Sequence, residues 1–198
     1  MTAARRRGRP GLDLATVLER SVEIFNERGF DGTSMEDLAR HLGISKSAIY
    51  HHVAGKDALL GLALDRALSG LEQAARDARA SDAPAVDRLE LLVRQSVAVL
   101  VDHLPYVTLL LRVRGNSDVE RQAQARRRKL DRLAAALVAE AVRDGDLRPD
   151  VDPAVTARLL FGMVNSLTEW LRPTSTHDVT ELADAVSAAA FEGLRRTP

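Results

Sequence analysis

The 198 residues are 45% hydrophobic, enough for one large or two small globular domains. Their 28 Lys+Arg balance 28 Asp+Glu, so net charge nominates no class of partner. The absence of cysteine excludes disulfides, thiolate zinc sites and cysteine nucleophiles. No run of about 18 uncharged apolar residues is present to span a membrane, and no apolar segment follows the N-terminal arginines as a secretory signal requires; a cytoplasmic protein with no membrane partner is expected.

Charge is unevenly placed. The opening MTAARRRGRP carries Arg5, Arg6, Arg7 and Arg9 and no acid, the pattern of an arm for nucleic acid or another anionic surface. A solubilising tail is the competing reading. Residues 1–11 are assigned to this arm.

Helical punctuation then runs along the chain, while alternating β-branched stretches are missing. A first helix is expected from near Asp13 to Gly29, with Leu14, Val17, Leu18, Val22 and Phe25 at helical spacing. A second opens at Thr33 or Ser34, where Thr33 and Glu36 have capping-box spacing, and ends at Gly43. Ser45 caps a third through KSAIYHHV. The fourth runs from about Lys56 to Ser81, and Asp82-Ala-Pro84 starts the fifth. Pro105 separates the fifth from a short sixth, and Ser117 with Glu120 boxes the start of a long seventh that stops at Gly145. Asp152 and Pro153 open the eighth, which Pro173 ends; Asp178 with Glu181 caps the ninth, which fades after Gly193. The expected fold is all-α: about nine helices, with a three-helix unit over 12–56 and a larger helical bundle over 57–198.

The second and third helices, joined by HLGIS, form a helix–turn–helix candidate whose tight turn uses Gly43. Leu38 and Leu42 make the apolar stripe of the second helix, Ile49 and Val53 that of the third. Steps of about 100° per residue then place Lys46, Ser47, Tyr50 and His51 outward. Lysine can donate to guanine O6 and N7, and short polar side chains reach base edges or phosphates. Small Ala48 and Ser47 let the helix enter a major groove, and Lys56 is placed for a phosphate. Two alternatives stand beside this: Tyr50 as a half-buried packing residue, and His52 as a core-edge histidine. His51 and His52 diverge too far to make a metal pair, so no metal site is expected.

These residues carry a family resemblance. GFDGTSMEDLARHLGISKSAIYHHVAGKDALL, residues 29–60, resembles the DNA-binding domain of tetracycline-repressor (TetR) family regulators, with similarity over roughly residues 12–62. The resemblance implies an all-helical homodimer that binds double-stranded operator DNA through its first three helices. It also implies a ligand pocket in the later helices and a dimer interface on the last two. Carried over position by position, operator contacts fall on Thr33 or Ser34, Lys46, Ser47, Ala48, Tyr50, His51, His52 and Lys56. Ala48 departs from the threonine often found there and leaves only a methyl contact. In the arm, Arg7-Gly-Arg-Pro10 resembles the core of an AT-hook, suited to narrow A·T minor grooves.

The eighth helix, LLFGMVNSLTEWLRP, is apolar almost all round and must be covered on more than one side. Asn165 and Ser166 within it need partners if buried. The segment from Leu109 to Leu133 is rich in cations, which reads as a solvated face or as an anion site. Together these segments are similar to the TetR subgroup that responds to acyl-coenzyme A. That likeness implies a thioester effector lodged between the seventh and eighth helices. Its ligand-binding candidates are Arg112, Arg114, Asn116, Arg126, Arg127, Arg128, Phe161, Asn165 and Trp170. The expected function is a ligand-responsive repressor without cofactors other than its effector; the alternative is a repressor of efflux responding to hydrophobic drugs. No G-x-S-x-G, P-loop or dinucleotide fingerprint supports an enzyme. A bundle of this size is more than an architectural DNA-coating protein needs.

Overall fold

Caps and left-handed glycines set most helix limits in the computed structural model, which describes residues 12–172, 175 and 177–192. Among the described residues there are nine helices and no strand: α1 Leu14–Arg28, α2 Met35–Leu42, α3 Lys46–Tyr50, α4 Lys56–Ala80, α5 Ala85–Asp102, α6 Leu104–Arg112, α7 Asp118–Asp144, α8 Pro153–Trp170 and α9 Val179–Phe191. This is the all-α architecture that the punctuation implies. Asp13, Ser45, Ser117, Asp152 and Asp178 each accept backbone N–H bonds at their N-caps. Gly43 and Gly145 close α2 and α7 at φ 67° and 85°, where a side chain would be strained.

Four local expectations need correction. The box at α2 is Ser34 with Asp37, because the Thr33 hydroxyl is spent on the Gly29 carbonyl at 2.7 Å and the residue is buried. Helix α3 stops at Tyr50, so His51 to Val53 lie beyond it in a turn. The break between α5 and α6 falls at His103, with Pro105 already inside α6. At α7, Ser117 caps the helix, but the buried Glu120 carboxylate turns to the Gly115 and Asn116 amides instead of Ser117. There it supports the left-handed Gly115 of the α6–α7 loop.

The chain divides into two compact units between Leu62 and Ala63. In the first, α1 packs on α2 and α2 on α3 around Val17, Val22, Phe25, Leu38, Ile49 and Leu59, all at 1% exposure or less. Burying one such side chain stabilises by ~1.5–3 kcal/mol, so Ile49 ties a five-residue helix that could not stand alone. In the second unit α5 is central, touching α6, α7, α8 and α9. Its charged groups bind neighbours: Arg88 pairs with Glu140, Arg94 with Asp184, and Glu90 accepts the buried Ser187 hydroxyl.

Helices α4 and α5 approach closely where Gly70 faces Val99: a Cβ at Gly70 would stand 2.9 Å from a Val99 methyl. Alanine is the better helix former by ~0.8–1 kcal/mol, yet overpacking costs ~1–3 kcal/mol. Gly70→Ala should therefore lower thermal stability in the native background and raise it beside Val99→Ala. Chemical denaturation of the four proteins of this cycle checks the sign reversal.

Candidate nucleic-acid interface and bundle cavity

Helix α3 turns its one fully buried side chain, Ile49, inward and leaves Lys46, Ser47 and Tyr50 exposed. Tyr50 is 47% exposed, so about half of its surface is open to solvent on the same side as Lys46 and Ser47. His51 and His52 are exposed as well, so His52 is no core-edge residue; Ala48 is half-buried. Ser34 stands exposed at the start of α2, its hydroxyl donating to Asp37 at 2.6 Å. That bond, with the Ser34 amide, holds the Asp37 carboxyl below its ordinary value. Hydroxyls, a phenol, imidazoles and an ammonium are therefore exposed at the start of α2, along α3 and in the turn after it.

Two candidates are placed differently. Thr33 is buried and cannot present its hydroxyl, which already serves Gly29. Lys56 donates to the Phe30 carbonyl at 2.8 Å and stands 4.3 Å over the Phe30 ring, a packing and cation–π role within the unit. One participant was missed by sequence reasoning. Glu36, on the exposed first turn of α2, accepts a hydrogen bond from Lys46 in an ion pair between the two helices. The bond lowers the Glu36 pKa and raises that of Lys46. Its sequence signal is the acid one step ahead of Asp37, a position that the Thr33 capping-box spacing gives to the cap. Arg5, Arg6, Arg7 and Arg9 lie outside the described residues.

In the second unit, helices α4 to α8 surround a cavity of about 50 Å³. One water needs ~10–15 Å³ on this scale, so the space exceeds a packing defect. Its wall is mainly leucine, including Leu71, Leu92, Leu110, Leu111 and Leu130, with Phe161 and Val164 from α8. Ser96, Arg127, Asp131 and Asn165 supply the polar positions. The Ser96 hydroxyl donates to Leu92 at 2.7 Å within its own helix. Arg127 makes only a long 3.5 Å bond to the Leu110 carbonyl among the described residues. A guanidinium so placed has donors to offer an acceptor inside an apolar space.

Of the ligand candidates, the cavity gathers Arg127, Phe161 and Asn165. Arg126 is committed elsewhere: it grips Glu72 through two nitrogens, at 2.7 and 2.9 Å, and reaches Asp65 at 2.8 Å. The Glu72 bond raises the Arg126 pKa and lowers that of Glu72. This ties α7 to α4 and leaves no anion site at Arg126. Arg112, Arg114, Asn116 and Arg128 are exposed and do not line the cavity. Trp170 is half exposed and meets the His177 ring edge-on at 5.8 Å. The missed lining positions are mostly leucines, which carry the same helical period whether they border a void or fill a core.

Helix α8 also shows an apolar outer face, with Val155, Leu159 and Met163 spaced four residues apart at 52%, 68% and 37% exposure. Exposed Ala185 and Ala189 give α9 a small-residue surface. No described helix is long and apolar enough to cross a membrane, and no described group of three or more His, Asp or Glu could hold a metal.

A family model described as bacterial regulatory proteins, tetR family, matches residues 17–63, and a tetracyclin repressor-like C-terminal domain matches 82–194. SCO3833, a TetR regulator family member from Streptomyces coelicolor A3, is 47% identical, with TM-score 0.84 over 99% of this chain and 96% of that one. The repressor KstR2 of Mycobacterium tuberculosis is 25% identical over 91% of this chain and 92% of its own length. AibR, solved with isovaleryl coenzyme A and operator DNA, shares the fold at TM-score 0.75 and 24% identity, covering 89% of this chain and 97% of its own. A helix–turn–helix with an exposed polar face, a helical C-terminal bundle, and matches along almost the whole length leave one assignment: the chain belongs to the TetR family of DNA-binding transcriptional regulators.

Proposed function

We propose that this regulator is a homodimeric repressor that holds operator DNA with α3 and releases it when an acyl-coenzyme A thioester enters the α4–α8 cavity. The observation that carries the effector class is the cavity itself, a leucine-walled space with the Arg127 guanidinium in its wall. The apolar wall suits an acyl group, and Arg127 suits a carbonyl or phosphate oxygen. The exposed Arg112, Arg114 and Arg128 are assigned to the remaining phosphates. Support comes also from the likeness to KstR2, a repressor, and to AibR, solved with an acyl-coenzyme A and operator DNA. The apolar outer face of α8 and the small-residue face of α9 suit a partner copy.

Release needs differential affinity, since a ligand equally welcome in both states shifts nothing. A coupling of ~1–3 kcal/mol suffices for a switch. Successive major grooves on one side of DNA lie ~34–36 Å apart, so a modest change in the separation of the two α3 helices breaks simultaneous docking. The test is displacement of labelled operator by a panel of acyl-coenzyme A thioesters, free coenzyme A, free acids and cationic hydrophobic drugs. Thioesters should release DNA and free coenzyme A should not. Equal potency of the free acids would remove the coenzyme A moiety from the account, and release by drugs alone would favour an efflux repressor.

The arginine arm is assigned to the minor groove beside each half-site. Deleting residues 1–9 removes Arg5, Arg6, Arg7 and Arg9. The slope of log affinity against log salt should then flatten by ~0.9 for every phosphate that the arm neutralises. Affinity should fall most on operators with A·T-rich flanks. An unchanged slope would mean that the arm does not touch DNA.

A further inference from the structure

The Glu36–Lys46 pair is out of place on a surface meant for a polyanion. Both side chains are largely exposed, 60% for Glu36 and 45% for Lys46, so their pairing contributes little to stability. The N-cap of α2 does not need Glu36 either, because Ser34 and Asp37 complete the box between themselves. A carboxylate here also repels phosphates and occupies the single lysine of α3. What the pair does provide is an acceptor and a donor held side by side, on the same exposed surface as Ser47 and Tyr50.

In the major groove a G·C pair presents the complementary edge: guanine O6 and N7 accept, and the cytosine N4 amino group donates. No A·T pair offers an exposed amine beside two acceptors in that order. We propose that Glu36 and Lys46 work as one recognition unit for a G·C base pair, with Glu36 as the specificity-determining residue. On non-operator DNA the two side chains stay bonded to each other, Lys46 is neutralised, and Glu36 opposes close approach to phosphates. On the operator the mutual bond is exchanged for two bonds to one base pair, Lys46 to guanine and Glu36 to the cytosine amine. The inference rests on α3 being the element that enters the groove.

Glu36→Gln tests it on the full-length protein, with affinity for operator and for a random duplex measured across a salt series by fluorescence anisotropy. Freed from its partner, Lys46 should reach a phosphate, so random-duplex affinity should rise about tenfold and its salt slope should steepen by ~0.9. Operator affinity should not rise in step, so the operator-to-random ratio should fall at least tenfold. Selection from a randomised pool should lose a G·C requirement at one position in each half-site. Glu36→Ala, which keeps the Ser34–Asp37 box, should behave alike. Parallel gains on both duplexes, or unchanged affinities, would overturn the proposal by reducing Glu36 to general repulsion or to an idle charge. Failure of the underlying assignment is separable: Tyr50→Ala would then bind the operator as tightly as the native protein does.

Discussion

Replacing Tyr50 by alanine should weaken operator binding by ~1–3 kcal/mol, the scale of a good base-level contact, while thermal stability stays nearly constant. The two halves of that expectation come from one fact: the ring is 47% exposed on α3, while Ile49 beside it is fully buried and holds the helix to its unit. Removing an exposed phenol takes away a donor and an aromatic surface from the groove without opening a void in the core. The converse substitution, Ile49→Ala, should cost ~2–5 kcal/mol of stability and lower DNA binding only in proportion to the unfolded fraction. Anisotropy titration and thermal melts on both variants separate the roles. A Tyr50→Ala protein that melts early but binds normally per folded molecule would return the tyrosine to the core.

Ser96→Leu should weaken release by the effector while leaving operator affinity intact. Ser96 is 2% exposed, borders the cavity, and spends its hydroxyl on the Leu92 carbonyl of its own helix. An added isobutyl group fills space that the acyl chain would otherwise take. Filling a void in place of a satisfied hydroxyl commonly gains ~0.5–2 kcal/mol, so the melting temperature should hold or rise. The measurement is the thioester concentration that displaces half the bound operator, which should increase more than tenfold. An unchanged midpoint would place the effector outside this cavity.

Much of this was legible in the sequence because its signals are local. Asp13, Ser45 and Gly43 announce helix limits within one turn of where they act, and Leu38 with Ile49 marks the buried stripes of the helix–turn–helix by period alone. What failed depends on geometry between elements. Thr33 and Ser34 are adjacent and equally good caps on paper; only the closeness of the Gly29 carbonyl shows that Thr33 is taken. Lys56 had the charge of a phosphate ligand but found the Phe30 carbonyl and ring. In the run Arg126, Arg127 and Arg128, the first is committed to Glu72 and Asp65 on α4, the second lines the cavity, and the third is exposed. Consecutive residues on a helix point about 100° apart, so what each meets depends on neighbours 50 or more residues away in sequence, Glu72 and Asp65 for Arg126.

Whether the exposed surface of α3 reads sequence is decided by two affinities compared at one salt concentration. The duplex that this protein selects from the DNA flanking its own gene is titrated against a scrambled duplex of equal length and composition, at physiological ionic strength. A sequence-reading regulator should prefer the selected duplex by at least ~10³-fold, with two copies bound per site. Affinities within tenfold of each other, both collapsing alike as salt rises, would mean that the protein holds DNA by charge alone and would contradict the account.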